Sequence, residues 1–439
     1  MIFFELLQIA IGNRDRLSQN PTEERWEELF AQARRQAMVG IAFRGVEQLP
    51  EEQRPQRSLL MRWYMATERI KTMNADLDRK ALAVANKFLD DGFPGVVLKG
   101  QGIARLYRVE QIENSKLKIE NCHPECDATH YTLHTTQERD LSSYRTPGDI
   151  DIWLCAERDK MLEYVRQHVP DCKPVYHHVD FPVVEGLDIE VHFTPTWMNS
   201  PVTNRRLQRF FRSFNSQQNI SHTDCTDYTD SISCQQDLNT IAQNTHCCAR
   251  VGHPDGNSKQ HNDERLTFNE QRSQELRANS QLLPVPSLAF DRVYILVHIY
   301  RHLFAEGIGL RQLLDYYFVL CQGCTEEERK ETMRTLRSLR MQRFAAAVMW
   351  VLQQVFGMDD RYLITAPDER EGRFLLSEIM LAGNFGQYDE RLQHQRGEGR
   401  LHWGLRKVKR NFRFVRSYPS EVLWSPIFKL WQFFWVKWL

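Results

Sequence analysis

The chain has 439 residues, enough for two or three domains with ample apolar core, and its 57 basic side chains balance 57 acidic ones. Zero net charge gives no whole-molecule field for nucleic acid or an anionic membrane, so any such partner has to be read locally. Ten cysteines scattered through a large chain, behind an N-terminus (MIFFELLQIAIGNRDR) with no basic leader and with Glu5 inside its apolar run, predict an unexported, cytoplasmic protein with reduced thiols.

Residues 1–91 read as a helical region. Asn20 is the expected N-cap, with Pro21 at the first helical position, and apolar residues recur at helical spacing from about Ser58 to Asp91. The pattern changes at Gly92-Phe93-Pro94. GVVLKG then reads as a short buried strand closed by glycine, DIDIWL (149–154) as a second strand, about 157–168 as a helix, and LDIEVHF (187–193) as a third strand. Residues 92–212 therefore form an expected α/β core. Two stretches break it, about 109–143 within the core and 213–280 after it; both are polar, aperiodic and expected to be inserts or mobile loops. Helical periodicity returns over 281–439, notably in FDRVYILVHIYRHLF and LRQLLDYYFVLC. The apolar stretch after Pro426 is about 13 residues long and carries Lys429 and Lys437, too short and too charged to span a bilayer.

On a strand alternate side chains share a face, so Asp149 and Asp151 project together, about 6–7 Å apart at the backbone, while Ile150 and Ile152 face the core. Paired carboxylates suit hard divalent cations that neutralise a leaving pyrophosphate and activate an attacking oxygen. Alone, Asp-x-Asp is more often a plain amphipathic strand. LDIEVHF strengthens it by putting Asp188, Glu190 and His192 on one face of another strand, with Glu190 the first choice for a third carboxylate and Asp188 its substitute; His192 reads equally well as a hydrogen-bonded neighbour. Lys99-Gly100-Gln101-Gly102 follows a strand and opens a helix-like run, a place where phosphate can meet backbone N–H groups and a cation, although an isolated KGxG is usually an ordinary turn.

Taken in order, VLKGQGIARLY, RTPGDIDIWL, the paired His177 and His178, and LDIEVHF resemble the uncharacterised bacterial nucleotidyltransferase family of the polymerase-β superfamily. The general pattern covers roughly 1–108, 144–212 and 281–439, with specific motifs only from Val97 to His192. The resemblance implies an α+β fold, a small mixed-sheet core flanked by N- and C-terminal helical regions. It also implies an enzyme that transfers a nucleoside monophosphate from an NTP to a hydroxyl acceptor with release of pyrophosphate. By it, Asp149, Asp151 and Glu190 hold Mg²⁺ or Mn²⁺, Lys99, Gly100 and Gln101 line the triphosphate, and Arg145 touches phosphate. Lys99-Gly100 stands where the superfamily usually has Gly-Ser, and about 35 extra residues lie between Arg108 and Tyr144. Two other readings keep the fold: a toxin- or antitoxin-type enzyme that modifies a protein, and a non-catalytic nucleotide- or partner-binding module.

Other residues are weaker candidates. Cys122, His123, Cys126 and His130, and Cys225, Cys234, His246, Cys247 and Cys248, could bind zinc, but their spacing is not that of a finger and polar low-complexity sequence gathers such residues by chance. His298 and His302, four apart on a helix, read better as core or interface histidines, and Arg311 and Asp315 as walls of an acceptor pocket. RKVKRNFRFVR (406–416) could hold RNA, a nucleotide or anionic lipid, with a solvated helix face favoured. The aromatic helix beyond Pro426 is expected to dock into this protein or a partner, or to touch a membrane surface peripherally.

Overall fold

A computed structural model describes residues 1–115, 133–182, 187–218, 283–391 and 400–437. It is mostly helical with a small mixed sheet, the α+β architecture that the sequence resemblance implies. The N-terminal helices are α1 (Ile2–Ala10), α2 (Glu23–Arg35), α3 (Val39–Gln48) and the long α4 (Arg57–Asp90). Helix α2 starts later than the sequence suggests: Thr22, not Asn20, caps it by accepting from the Arg25 N–H, while the Asn20 side chain accepts from the Gln53 amide at 3.0 Å. A serine- or threonine-type cap two residues downstream outcompetes Asn20 because its oxygen reaches the third helical N–H.

The core then runs β1 (Gly95–Val97), α5 (Gln101–Ala104), β2 (Arg108–Ser115), β3 (Leu133–Asp140), β4 (Ile150–Leu154), α6 (Arg158–His168), β5 (His178–Asp180) and β6 (Ile189–His192). The four-stranded sheet has the order β1-β4-β6-β5, with β4 and β6 parallel and both outer pairs antiparallel. Strand β5 has no sequence signal of its own. Strands β2 and β3, from the two ends of the first polar stretch, form a separate antiparallel pair, structure for which the polar sequence there gave no signal.

Alternation along β4 and β6 divides the sheet into two faces. Ile150, Ile152, Ile189 and Val191 pack with Leu77, Val84 and Phe88 of α4 and with Met161 and Val165 of α6. Each such side chain, fully buried, is worth roughly 1.5–3 kcal/mol. Trp153, on the opposite face with Asp151, instead joins the larger core and stacks on Phe290 at 5.7 Å. That face therefore looks towards the C-terminal helices, which follow α7 (Pro201–Gln218): α8 (Leu288–Ala305), α9 (Leu310–Cys321), α10 (Glu326–Ser338), α11 (Gln342–Phe356), α12 (Glu369–Ala382), α13 (Arg400–Phe412) and α14 (Pro419–Lys437). No described helix is long and apolar enough to cross a membrane. Cys172, Cys321 and Cys324 are free thiols.

The C-terminal segments serve both inside and outside. Arg410 and Asn411, within the basic stretch, are buried and donate to the Leu303 and Phe304 carbonyls of α8. On α14, Phe428 packs edge-on against Tyr176 and Trp431 stacks on Trp197, while Leu430 and Phe434 are exposed.

Candidate active site

The loop leading into β4, Arg145-Thr146-Pro147-Gly148, is held from four sides. The Arg145 guanidinium forks onto Asp315 of α9, Nε to Oδ1 at 2.7 Å and Nη2 to Oδ2 at 2.8 Å, and the Tyr107 hydroxyl donates to the same carboxylate at 2.6 Å. Asn74 of α4 donates to the Arg145 carbonyl at 2.6 Å, the Thr146 hydroxyl donates to the Ala37 carbonyl at 2.7 Å, and Arg311 Nη1 donates to the carbonyls of Thr146 and Pro147 at 3.1 and 2.9 Å. Gly148 leaves room for Arg311: a Cβ there would stand 3.2 Å from Nη1.

This clamp aims the acidic residues. Asp151 pairs directly with Glu190 in the parallel β4–β6 register, and Asp149 precedes it on the same face. Lys99 Nζ bridges Asp149 at 3.1 Å and Asp151 Oδ2 at 2.9 Å. His192 Nε2 lies 2.8 Å from Asp151 Oδ1 and 3.3 Å from Glu190 Oε2, and His178 Nδ1 lies 3.2 Å from the same Glu190 oxygen. Metal-competent atoms of Asp151, Glu190 and His192 all fall within 4.8 Å of one another, as do those of His178, Asp180 and Glu190.

Burial works against ionised Asp151, but the Lys99 charge and the His192 hydrogen bond outweigh it and lower its pKa. Burial likewise opposes ionised Glu190, yet the His192 hydrogen bond and the charges of His178 and His192 pull it down to about 2. For His192 burial favours the neutral ring, and the hydrogen bonds to Asp151 and Glu190 overcome it, raising the group to about 9. Asp151 and Glu190 are thus favoured as carboxylates by the Lys99 ammonium and the His192 ring beside them.

The turn after β1 explains both of its glycines. Gly100 has φ +60°, which a side chain would strain, and a Cβ on Gly102 would lie 2.5 Å from the Val97 carbonyl oxygen. Helix α5 is a single turn, and the N–H groups of Gly102, Ile103 and Ala104 are already bonded to the Lys99 and Gly100 carbonyls. Gln101 is buried and donates to Asp78 of α4. Of the residues expected at the nucleotide, Lys99 and Gly100 therefore border the acidic pair, while Gln101 turns towards α4 and Arg145 is committed to Asp315.

A cleft of about 700 Å³ opens beside these carboxylates, lined by Asp149, Asp188 and Glu190 on the sheet side and by Arg311, Phe385 and Gln387 on the helical side. Phe385 adopts φ +50°, an uncommon conformation for an aromatic residue, and its ring lies 5.5 Å from the Arg311 guanidinium and 5.3 Å from the His302 ring. Its contribution had no local sequence signal. His298, whose ring is 4.4 Å from that of His302, borders a smaller recess with Lys99 and Asp149. The Cys/His groupings at 122–130 and 225–248 lie outside the described residues.

Residues 22–112 and 250–357 match the sequence model of a family described as an uncharacterised nucleotidyltransferase. These stretches contain Lys99 and Gly100 on one side and Arg311 and Asp315 on the other, and the fold brings Asp149, outside both, into one recess with all four. No curated protein and no solved structure matches the chain. The family match supports placing the chain in an uncharacterised nucleotidyltransferase family, the family its motifs resemble, and with it a general nucleotidyl-transfer activity.

Proposed function

We propose that the chain is a metal-dependent nucleotidyltransferase that moves a nucleoside monophosphate from an NTP to a hydroxyl acceptor. The observation that carries this reading is the single face shared by Asp149, Asp151 and Glu190, two of them in direct register, with Asp149 and Glu190 in the wall of a cleft that also carries Arg311, and Lys99 in the adjoining recess. The carboxylate donors fit a hard divalent ion such as Mg²⁺ or Mn²⁺: Asp151 is 1% exposed, and its buried Oδ2 has the Lys99 ammonium as its contact and no hydrogen-bond donor beyond it. When bound, such ions supply charge neutralisation for the triphosphate and polarise the attacking oxygen.

The chain's own residues do the rest. The acceptor hydroxyl gives up its proton to solvent in the open cleft, its oxygen bonds to the α-phosphorus, the bond to the bridging oxygen breaks, and pyrophosphate leaves with that electron pair. Lys99 and Arg311 offset the charge that gathers on the phosphates, and the Arg145–Asp315 clamp keeps Asp149 aimed. Gly100 lets a phosphate approach the backbone, and the Phe385 ring offers a face for the base. A volume of about 700 Å³ is within the range of small-molecule sites.

Thermal unfolding with each NTP, with and without Mg²⁺ or Mn²⁺, tests the reading without knowledge of the acceptor. Ligand at 100 times its Kd stabilises the native state by about 2.7 kcal/mol. Metal-dependent stabilisation that Asp149→Asn abolishes supports it. No shift with any nucleotide sinks it, and a shift without pyrophosphate release in the presence of candidate metabolites, proteins and RNA favours a binding module.

A further inference from the structure

Residues 400–439 hold nine Lys and Arg but one acidic side chain, Glu421, although the whole chain is neutral. That acid is withdrawn from the surface: Glu421 is 4% exposed and accepts from the Asn199 and Ser200 N–H groups at 2.8 and 3.3 Å. Lys409 and Arg416, by contrast, are exposed. The segment is therefore locally basic, with no acidic side chain of its own at the surface.

Beside that charge lies apolar surface that the fold does not use. Helix α14 turns Glu421, Ser425 and Phe428 inward, where Phe428 packs on Tyr176. Its opposite side carries Leu423, Ile427 and Leu430, each more than half exposed, with Trp424 on their flank. Helix α13, which touches α14, is built alike: Arg410 and Asn411 are buried, while Leu405 and Phe412 are exposed with Lys409 alongside. A lone exposed leucine needs no explanation, but apolar rows on the outer sides of two touching helices do.

The charge selects what covers them. A second copy related by a two-fold axis would set this basic patch against itself. RNA would meet the cations, but Leu423, Ile427 and Leu430 give its bases no ring to stack on. An anionic lipid surface takes both features, since apolar side chains enter the boundary of headgroups and acyl chains while basic ones meet lipid phosphates. Trp424 suits the headgroup level, and no described helix is long and apolar enough to go further and cross.

We propose that the outward faces of α13 and α14 dock the protein on an anionic lipid surface, with Leu423, Ile427 and Leu430 entering it and Lys409 and Arg416 meeting its phosphates. The proposal is independent of the transferase reading, and its test needs no nucleotide. The full chain is sedimented with vesicles of phosphatidylcholine alone and of equal parts phosphatidylcholine and phosphatidylglycerol. Leu423→Gln/Ile427→Gln/Leu430→Gln and Lys409→Gln/Arg416→Gln are run beside it.

The wild type is expected on the anionic vesicles and much less on the neutral ones. The apolar triple variant should lose at least about tenfold in partitioning. The basic double variant should lose roughly fivefold per charge, and on anionic vesicles only. No binding, equal binding to both kinds of vesicle, or either folded variant binding like the wild type overturns the proposal. Dimerisation or RNA binding that the variants abolish, without vesicle binding, overturns it in favour of that occupant. Should the triple variant unfold, the wild type on anionic vesicles with brominated acyl chains decides: quenched tryptophan emission supports insertion, and unquenched emission overturns it.

Discussion

Asp315→Asn attacks the clamp behind the site rather than the site itself. The Asp315 and Arg145 side chains are 9% and 4% exposed, and the pair is bidentate with a Tyr107 hydroxyl on the same carboxylate. Removing the negative charge strands a buried guanidinium, and its amide group turns a donor towards Arg145; breaking such a pair costs about 3–5 kcal/mol. The apolar double variant Arg145→Met/Asp315→Leu takes both charges away and is expected to recover most of that loss. Urea unfolding followed by circular dichroism reads both numbers. Because Asp315 holds the loop that ends in Asp149, nucleotide stabilisation measured below the unfolding midpoint should fall in Asp315→Asn and stay low in the double variant. An Asp315→Asn loss below about 1 kcal/mol would show that the pair is solvated and refute the account of how the loop is held.

The remaining predictions separate aim, strain and charge. Asp149→Asn, whose side chain is 33% exposed, should leave stability within about 0.5 kcal/mol while removing metal-dependent nucleotide binding, whereas Asp151→Asn should lose several-fold more because it strands buried Lys99 and His192; paired melts compare them. Gly100→Ala should cost about 1–3 kcal/mol, read by urea unfolding, since φ +60° is strained for any side chain. Phe385→Ala should weaken NTP binding by about 1–3 kcal/mol if the ring stacks on the base, measured by calorimetry, and an unchanged affinity would remove Phe385 from the nucleotide site. Asp389 is fully buried; burial raises its pKa, but hydrogen bonds and charge from Arg391 win and lower it. Its stabilisation is thus present above the ordinary aspartate value of about 3.9 and lost as pH falls below it, so Asp389→Asn should flatten the acid limb of the stability curve.

The strands that carry the carboxylates were legible because their alternation is local: Ile150 and Ile152 turn to one core, while Asp151 and Trp153 turn to the opposite face. The family motifs placed Lys99 and Gly100 beside them for the same reason. What the sequence hid depends on distant partners. Nothing near Arg145 announces that its fork closes on Asp315, 170 residues later, or that Arg311 holds the Thr146 and Pro147 carbonyls. Gln101 looked like a phosphate neighbour, but the one-turn helix turns it against Asp78. Strand β5 is three residues long and owes its form to pairing with β6, and the β2–β3 hairpin is polar on both strands, so neither shows apolar alternation.

The hairpin has a further consequence. Its neck is closed by the Leu141 N–H on the Tyr107 carbonyl at 2.7 Å, and eight paired positions run outward from there, Arg108 with Asp140 to Ser115 with Leu133. The chain leaves and re-enters at a single graft point, so the length beyond it is nearly independent of the geometry below: doubling such a loop adds only about 0.6 kcal/mol of closure entropy. The arm can therefore change length without moving Tyr107 or the loop into β4.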